Sequence, residues 1–383
     1  MKCITFGKFD KKLLIPIIAG ILRLIIQFTY ANNPKYDILI KNPFITSIYS
    51  SIGMISAIIP HLIIKHRSKR SKINSNELRD QSKLDLELIY TPVLGDIQYK
   101  KYKLILYQEI FDFSQTILAS IFDMDTDYGL WTFDIVFMSL FSYLILKTKI
   151  YRHQYISMII ILIFGLLINV IEYYQPSDGN QLDFFKLAMN LLSEICLSLI
   201  MVIAKYNMEK NYCTPYEICY CCGTMGLILY IIVLLIINQL KLKINGIQHP
   251  DNFYELFDNY DIYDFLLSIS IIVGNAIYNI SALVTCNYFQ PYHIIIISIF
   301  KEFYNSFEPD NNTILNTLTF FILILISFMF LIFIEIIELN IFNISFNTKR
   351  NIQLRSIEDN LVKMETLADL TEDILNDDEL IVK

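Results

Sequence analysis

The fold of this chain is decided by runs of sequence such as YISMIIILIFGLLINVIEY, which covers residues 155–173. The run contains one charged residue, Glu172, and no proline. Because a helix rises about 1.5 Å per residue, a run of this length spans roughly 30 Å, the thickness of a bilayer's hydrocarbon core. The run therefore predicts a helix that crosses a membrane.

Similar apolar stretches recur along the whole chain. Apolar residues make up 54% of its 383 residues and charged residues 18%, whereas an ordinary soluble domain is about 25% charged. This composition and the net charge of −7 exclude a disordered chain and a nucleic-acid binder with a basic face. The sequence predicts an all-α integral membrane protein with ten spans. The predicted spans are 13–30, 44–64, 103–122, 130–147, 155–173, 184–204, 216–238, 263–287, 289–307 and 315–339.

The basic residues predict how the spans are oriented. With the N-terminus in the cytosol, cytosolic segments hold 24 Lys and Arg residues and the opposite side holds 5. Both termini are therefore predicted to be cytosolic, which requires an even number of spans. The predicted cytosolic segments are residues 1–12, the loop 65–101 and the charged tail 340–383. The predicted location is an endomembrane (Golgi, ER, or vacuole or lysosome) or the plasma membrane.

The loop 65–101 opens with a basic run at residues 65–72. A basic run beside a span can bind anionic lipid head groups. The requirement for positive charge on the cytosolic side explains the same run equally well. Both interpretations stay open.

An internal repeat divides the spans into two sets of five, residues 13–173 and 184–339. The matches keep their order along the chain. They join Asn42-Pro43-Phe44 to Thr214-Pro215-Tyr216, residues 108–114 to 275–281, Phe133-Asp134 to Tyr292-His293, and Glu172 to Glu335. Because five is odd, the second copy enters the membrane from the opposite side. Inverted repeats are frequent in secondary transporters, which place their solute where the repeats meet.

Three local stretches carry a resemblance to a known group. They are residues 144–149 with Gln154 nearby, residues 334–339, and Asp112 followed by Ser114. With the five-plus-five arrangement, they resemble the drug/metabolite transporter superfamily, which includes EamA-like proteins, nucleotide-sugar transporters and chloroquine-resistance-transporter-like carriers. Of the Gly-Ala-Leu-Asn-Lys motif of nucleotide-sugar transporters, the chain keeps only Lys301. The resemblance implies an alternating-access carrier over residues 13–345.

Polar side chains inside the spans are the candidate binding residues. Gln108 and Asp112 lie one helical turn apart, and Asn275 and Asn279 repeat that spacing at the equivalent place in the second repeat. We expect both pairs to face the pseudo-twofold axis and to line a solute-binding cavity. Hydrogen bonding between helices is the alternative role for such groups.

Charged residues within spans are costly and usually face a cavity or a partner. Lys301 and Arg23 can receive an anionic group of the solute, while snorkelling or pairing with Glu302 is the alternative for Lys301. His293, eight residues before Lys301, lies on a similar helical face and can titrate near neutral pH, or can simply mark the interface. Glu109 with Asp112 can instead bind a proton or a cation.

Asp134 and Glu194 are further candidates within spans four and six. Cys219, Cys221 and Cys222 lack the paired spacing of a zinc site and are predicted to be buried apolar residues. The sequence contains no nucleotide-binding loop, no nucleophile elbow and no metal-binding helix motif, so no cofactor, metal or enzymatic activity is predicted.

The sequence thus predicts a secondary transporter, working as an exchanger or by coupling to an ion gradient. Its predicted solute is small and polar, and Lys301 and Arg23 favour an anionic one. A non-transporting membrane scaffold or receptor-like protein of the same fold is the alternative. The expected partners are the solute and the lipid bilayer, without nucleic acid, and the sequence leaves the oligomeric state open.

Overall fold

The computed structural model describes most of the apolar part of the chain. The described residues are 4–6, 10–30, 43–66, 84–122, 130–173, 184–240, 262–305 and 313–339. Within them the secondary structure is helical apart from two strands of three residues, so the predicted all-helical class is confirmed. Residues 67–72 of the basic run, the whole of the tail 340–383 and residues 31–42 lie outside the described residues.

The described helices follow one another along the chain as α1 to α10. They are α1 Leu14–Tyr30, α2 Pro43–Ile55, α3 Leu84–Phe122, α4 Thr132–Phe141, α5 Arg152–Tyr173, α6 Phe184–Lys210, α7 Pro215–Leu240, α8 Ile262–Tyr288, α9 Ile295–Asn305 and α10 Thr313–Phe333. Short 3₁₀ turns, Lys11–Leu13 and Pro291–Ile294, lead into α1 and α9, and a π-helical turn, Ser142–Leu146, extends α4. A further helical segment, 58–66, follows α2 after a two-residue turn.

Helix starts follow local rules that the sequence carries. At α7, the Thr214 hydroxyl accepts a hydrogen bond from the backbone nitrogen of Glu217 at 3.1 Å, and Pro215 occupies the first helical position. A threonine cap, a proline at the first position and a glutamate at the third stabilise a helix N-terminus. Helix α2 starts in the same way at a proline, Pro43.

Each of the ten predicted apolar stretches overlaps a helix, but two bounds were wrong. The third stretch, predicted to begin at 103, is the end of the 39-residue helix α3, so helix extends back through part of the predicted loop 65–101. The tenth stretch was predicted to run to 339. Helix α10 ends at Phe333 instead, because Glu335 adopts a left-handed backbone conformation with a φ of 63°.

Within the described ranges, five helical segments are long and apolar enough to cross a membrane. They are Phe44–His66, Arg152–Ile171, Leu187–Lys210, Pro215–Ile236 and Phe265–Tyr288. Thr132–Leu146 and Thr317–Phe333 are shorter apolar helices. By length and composition the chain is therefore a membrane-embedded helical protein.

The chain forms two compact units. The smaller draws on Met1–Phe9, Ile150–Ile161 and Ser327–Lys383. In it, strands β1 (Ile4–Phe6) and β2 (Ile337–Leu339) pair antiparallel, with Ile4 opposite Leu339. The side chain of Gln154 donates from Nε2 to the carbonyl oxygen of Phe333 at 3.4 Å. The sequence did not predict this two-stranded ribbon, because three-residue strands leave no alternation to detect.

The larger unit, Asp10–Lys149 and Leu162–Ile326, holds most of the helix packing. Helix α1 packs on α8 and α9, α6 packs on α3 and α4, and α2 packs on α7 and α8, while α3 also contacts α7. Glycines allow the closest approaches. A Cβ atom at Gly223 of α7 would lie 2.7 Å from the backbone oxygen of Ser51, and one at Gly53 of α2 would lie 2.6 Å from the backbone oxygen of Ile272. Small residues at helix crossings are typical of packing inside membranes.

Candidate solute-binding cavity

A polar cavity of about 390 Å³ lies among the helices of the larger unit. Its lining comes from α1, α2, α3, α4, α6, α7, α8 and α9, and it is rich in charged and amide side chains. Cavities of roughly 300–1,000 Å³ are the usual size for small-molecule ligands. Eight helices of an otherwise apolar bundle therefore converge on a space suited to a small polar molecule.

Six of the seven side chains predicted to bind solute line this cavity. They are Arg23, Gln108, Asp112, Asn275, Asn279 and Lys301. The further candidates Glu109, Asp134 and Glu194 line it as well. Their role in binding stays a prediction, but the structure brings residues distant in sequence to one place, as the helical spacing and the repeat had indicated.

His293, the seventh predicted residue, is not part of the lining. It is buried between the rings of Phe289 and Tyr292, at centroid distances of 5.0 and 4.9 Å, and its Nδ1 lies 3.1 Å from the backbone oxygen of Gln290. The prediction that His293 and Lys301 share a helical face requires one unbroken helix through both residues. His293 lies instead in the 3₁₀ turn before α9, and this change of helix type rotates it away from that face.

A chain of hydroxyl groups leads to Asp112. The Tyr230 hydroxyl donates to Asp112 Oδ2 at 2.6 Å. Because that hydroxyl has a single hydrogen, Thr116 must donate to Tyr230, 3.2 Å away, and Ser47 must donate to Thr116, 3.1 Å away. The sequence did not single out Tyr230, because nothing in the pattern distinguishes it from the chain's other 24 tyrosines.

Two neighbouring acceptor atoms in the lining have no hydrogen-bond partner. The side chain of Gln108 donates from Nε2 to the backbone oxygen of Ile200 at 3.2 Å, which leaves its Oε1 buried and unpartnered. The Oε1 of Glu109, a residue that is 1% exposed, is also without a partner. Gly226 makes room for this carboxyl group, since a Cβ there would lie 2.5 Å from that oxygen.

The second pair of predicted amides is engaged differently. Asn279 Nδ2 donates to Ser50 Oγ and to the backbone oxygen of Asn275, each at 3.0 Å. Both donors of the Asn279 amide are thus used inside the protein. This contact between α8 and α2 agrees with the alternative expectation, hydrogen bonding between helices, while both asparagines still border the cavity.

The charged lining groups form two sets. Arg23 of α1 lies with its guanidinium 4.6 Å from the centroid of the Tyr278 ring, and Lys301 and Glu302 lie on α9, which packs on α1. A second set comprises Asp134 of α4 and Glu194 of α6. Asp134 accepts a hydrogen bond from Ser198 Oγ of α6 at 3.2 Å, and Glu194 precedes Ser198 by one helical turn. In all, five carboxyl groups and two cations line the cavity.

A second polar group, the Asn207 cluster, lies at the junction of α6 and α7. It comprises Lys101, Asn207, Asn211, Cys213 and Glu217. Asn207 Oδ1 accepts from Asn211 Nδ2 at 2.8 Å and from Cys213 Sγ at 3.3 Å, and Asn207 Nδ2 donates to the backbone oxygen of Lys101 at 3.3 Å. The ammonium group of Lys101 forms an ion pair with Glu217. The sequence did not predict this cluster, because its contacts to Lys101 join segments about a hundred residues apart.

Among the described side chains, no group of three or more His, Cys, Asp and Glu residues is placed to hold a metal ion. Cys219, Cys221 and Cys222 are buried free thiols, as predicted, and Cys222 borders the cavity. No protein-family model matches this chain, and no curated protein matches it. The drug/metabolite transporter superfamily is therefore a resemblance that only the sequence stretches described above support.

Proposed function

We propose that this protein is a secondary transporter of the drug/metabolite type. Ten spans in two inverted repeats move a small polar solute by alternating access, either in exchange or with a coupling ion. The observation that carries the proposal is the polar cavity, because charged groups from both halves of the chain line it within apolar helices. Each charge at the centre of a membrane costs about 2.5–3.5 kcal/mol or more, so such groups are usually retained for a function.

The helix packing supports the two repeats. When α1 to α5 are exchanged with the helices five places later, the most extensive contacts between helices map onto one another. Helix α1 on α8 becomes α6 on α3, α1 on α9 becomes α6 on α4, and α2 on α8 becomes α7 on α3. The pair α2 and α7 maps onto itself. A chain without internal symmetry has no reason to pack in this way, whereas a duplicated one does.

The strand pairing supports an even number of spans. Strand β1 precedes α1 and strand β2 follows α10, and the two hydrogen-bond to each other. Since paired strands lie on the same side of a membrane, the chain between them crosses it an even number of times. The five candidate spans among the described residues are an odd number, so the strand pairing favours at least one further crossing helix. The basic residues favour the cytosol for this common side.

Transport by the purified protein tests this proposal. The full chain is reconstituted in liposomes and offered labelled nucleotide sugars, amino acids and small organic ions. We expect uptake of one class, reduced in Gly226→Ala, because a methyl group there displaces Glu109. Gly274→Ala is the matched control, since its Cβ would meet only the end of the Ile26 side chain. Absence of uptake by folded protein would favour the membrane scaffold.

A further inference from the structure

The charges of the cavity lining are unbalanced. Five carboxyl groups face two cations across a space of about 390 Å³. Both cations already have contacts inside the protein. Arg23 lies over the Tyr278 ring, and Lys301 also interacts with a protein group. An anionic solute would therefore have to compete for cations already engaged and would face an excess of carboxyl groups.

The unused hydrogen-bonding capacity of the cavity is acceptor capacity. Among the described side chains, the buried unpartnered atoms of its lining are Gln108 Oε1 and Glu109 Oε1. The donors nearby are taken, since Tyr230 donates to Asp112 and the Asn279 amide donates twice. Buried polar atoms are nearly always satisfied by protein, water or ligand. Gln108 Oε1 and Glu109 Oε1 therefore lack a hydrogen-bond donor.

Glu109 and Asp112 bring one of these acceptors, Glu109 Oε1, together with a second carboxyl group. They lie three residues apart on α3, so they share one face of the helix. Two neighbouring carboxylates in a poorly solvated space repel one another when both are ionised, and a bound cation relieves that repulsion. Ile218 and Cys222 of α7 border the same space and supply apolar surface beside the charges.

We propose that the solute carries a protonated amine, which binds between Gln108, Glu109 and Asp112. This inference rests on the proposed function and names its substrate class as an organic cation. An ammonium group has three donors and no acceptor, which matches three acceptor side chains on one helix face. The cavity has room for the volume of roughly a dozen water molecules, so the amine can be part of a larger organic molecule.

A matched series of ligands tests the charge preference. Butane-1,4-diamine, 4-aminobutanoate and succinate share one carbon chain and differ in bearing two ammonium groups, one of each charge, or two carboxylates. The thermal midpoint of the full chain in lipid nanodiscs is measured with each. A ligand that binds the folded state raises this midpoint. We expect the largest rise with the diamine and none with succinate. An equal or larger rise with succinate, or no rise with any of the three, would overturn the proposal.

Conservative variants locate the binding. Glu109→Gln and Asp112→Asn keep the side-chain shape and remove the charge. Each should weaken the diamine's apparent affinity roughly ten- to hundredfold, the effect of losing one charged hydrogen bond. Glu209→Gln is the control, because that carboxylate is exposed and pairs with Lys205 outside the cavity. An unchanged diamine affinity in both cavity variants would contradict the inference.

The binding and uptake assays separate this inference from the proposed function. Selective stabilisation by the diamine without uptake into liposomes would support the amine site and count against transport. Uptake of succinate in preference to the diamine would support transport and overturn the amine site.

Discussion

The cavity and the Asn207 cluster are both buried and polar, and both are built from side chains of several helices. They differ in how completely their hydrogen bonds are formed. In the Asn207 cluster, the carboxamide oxygen of Asn207 accepts twice, its nitrogen donates to a backbone oxygen, and Lys101 pairs with Glu217. In the cavity, Gln108 Oε1 and Glu109 Oε1 are buried without partners.

If the proposed function is right, this difference separates groups that hold the fold from groups that bind the solute. A complete buried network stabilises one arrangement of helices, whereas an unpartnered buried acceptor lowers stability until something donates to it. Substitutions in the Asn207 cluster should therefore lower the free energy of unfolding. Replacing the unpartnered acceptor of the cavity should raise the free energy of unfolding and abolish solute uptake.

Removing the centre of the complete network should cause the largest loss of stability. Asn207→Leu leaves the Asn211 amide, the Cys213 thiol and the Lys101 carbonyl without their partner, so we expect the free energy of unfolding to fall by about 3 kcal/mol. Thermal unfolding in detergent measures it. Asn287→Leu, on an exposed side chain, is the control. Equal stability of the two variants would mean that the network contributes nothing.

Removing the carboxyl group of Glu109, whose Oε1 has no partner, should raise the free energy of unfolding. Glu109→Met replaces a buried group lacking a hydrogen bond by an apolar one of similar length, so we expect the free energy of unfolding to rise by about 1–2 kcal/mol. Solute uptake should be lost in the same variant. A destabilised Glu109→Met protein would show that this carboxyl group supports the fold, against the contrast drawn here.

Tyr230→Phe affects the part of the cavity that is already hydrogen-bonded. It removes the 2.6 Å hydrogen bond to Asp112 and leaves the Thr116 hydroxyl without its acceptor. We expect a loss of about 1 kcal/mol in unfolding free energy, as for a typical buried hydrogen bond, together with weaker uptake. Initial uptake rates and thermal midpoints are measured side by side. Unchanged uptake would separate the hydroxyl chain from solute binding.

The smallest effect concerns Cys213 in the Asn207 cluster. Burial raises the pKa of this thiol to about 12, and the nearby Lys101 charge offsets only part of the rise. Since only the thiolate reacts, N-ethylmaleimide should leave Cys213 of the folded protein unmodified at both pH 7 and pH 9. Mass spectrometry of the labelled peptide checks this, with denatured protein as the positive control. Labelling of folded protein at pH 9 would show that the cluster opens.

The helices could be predicted because each depends on its own segment of sequence. Apolar length marks them, and a proline after a capping residue marks the start of α7. The repeat and the helical spacing of Gln108 and Asp112 then placed candidate residues on one face, and the structure brings them to the cavity. Within one continuous helix, the spacing of residues in sequence predicts which side chains share a face in the folded protein.

The other features depend on contacts between distant segments. The acceptor for Gln108 Nε2 is a backbone oxygen on α6, and the donor to Asp112 is a tyrosine on α7, neither of which has a marker in the sequence. His293 lies outside the cavity lining, and the 3₁₀ turn that holds it looks like the start of a helix in sequence. The excess of carboxyl groups emerged only when residues from eight helices were gathered around one space.

The ribbon of β1 and β2 also constrains the order in which the molecule can be completed. During synthesis, Ile4–Phe6 emerges before every described helix and Ile337–Leu339 emerges only after them. The early strand must therefore remain unpaired while the helices are made and inserted, and its hydrogen bonds form in one of the last events of assembly. Contacts between residues so far apart in sequence form slowly. A ribosome-bound chain stalled before β2 would contain the helices and still lack the pairing of β1 with β2.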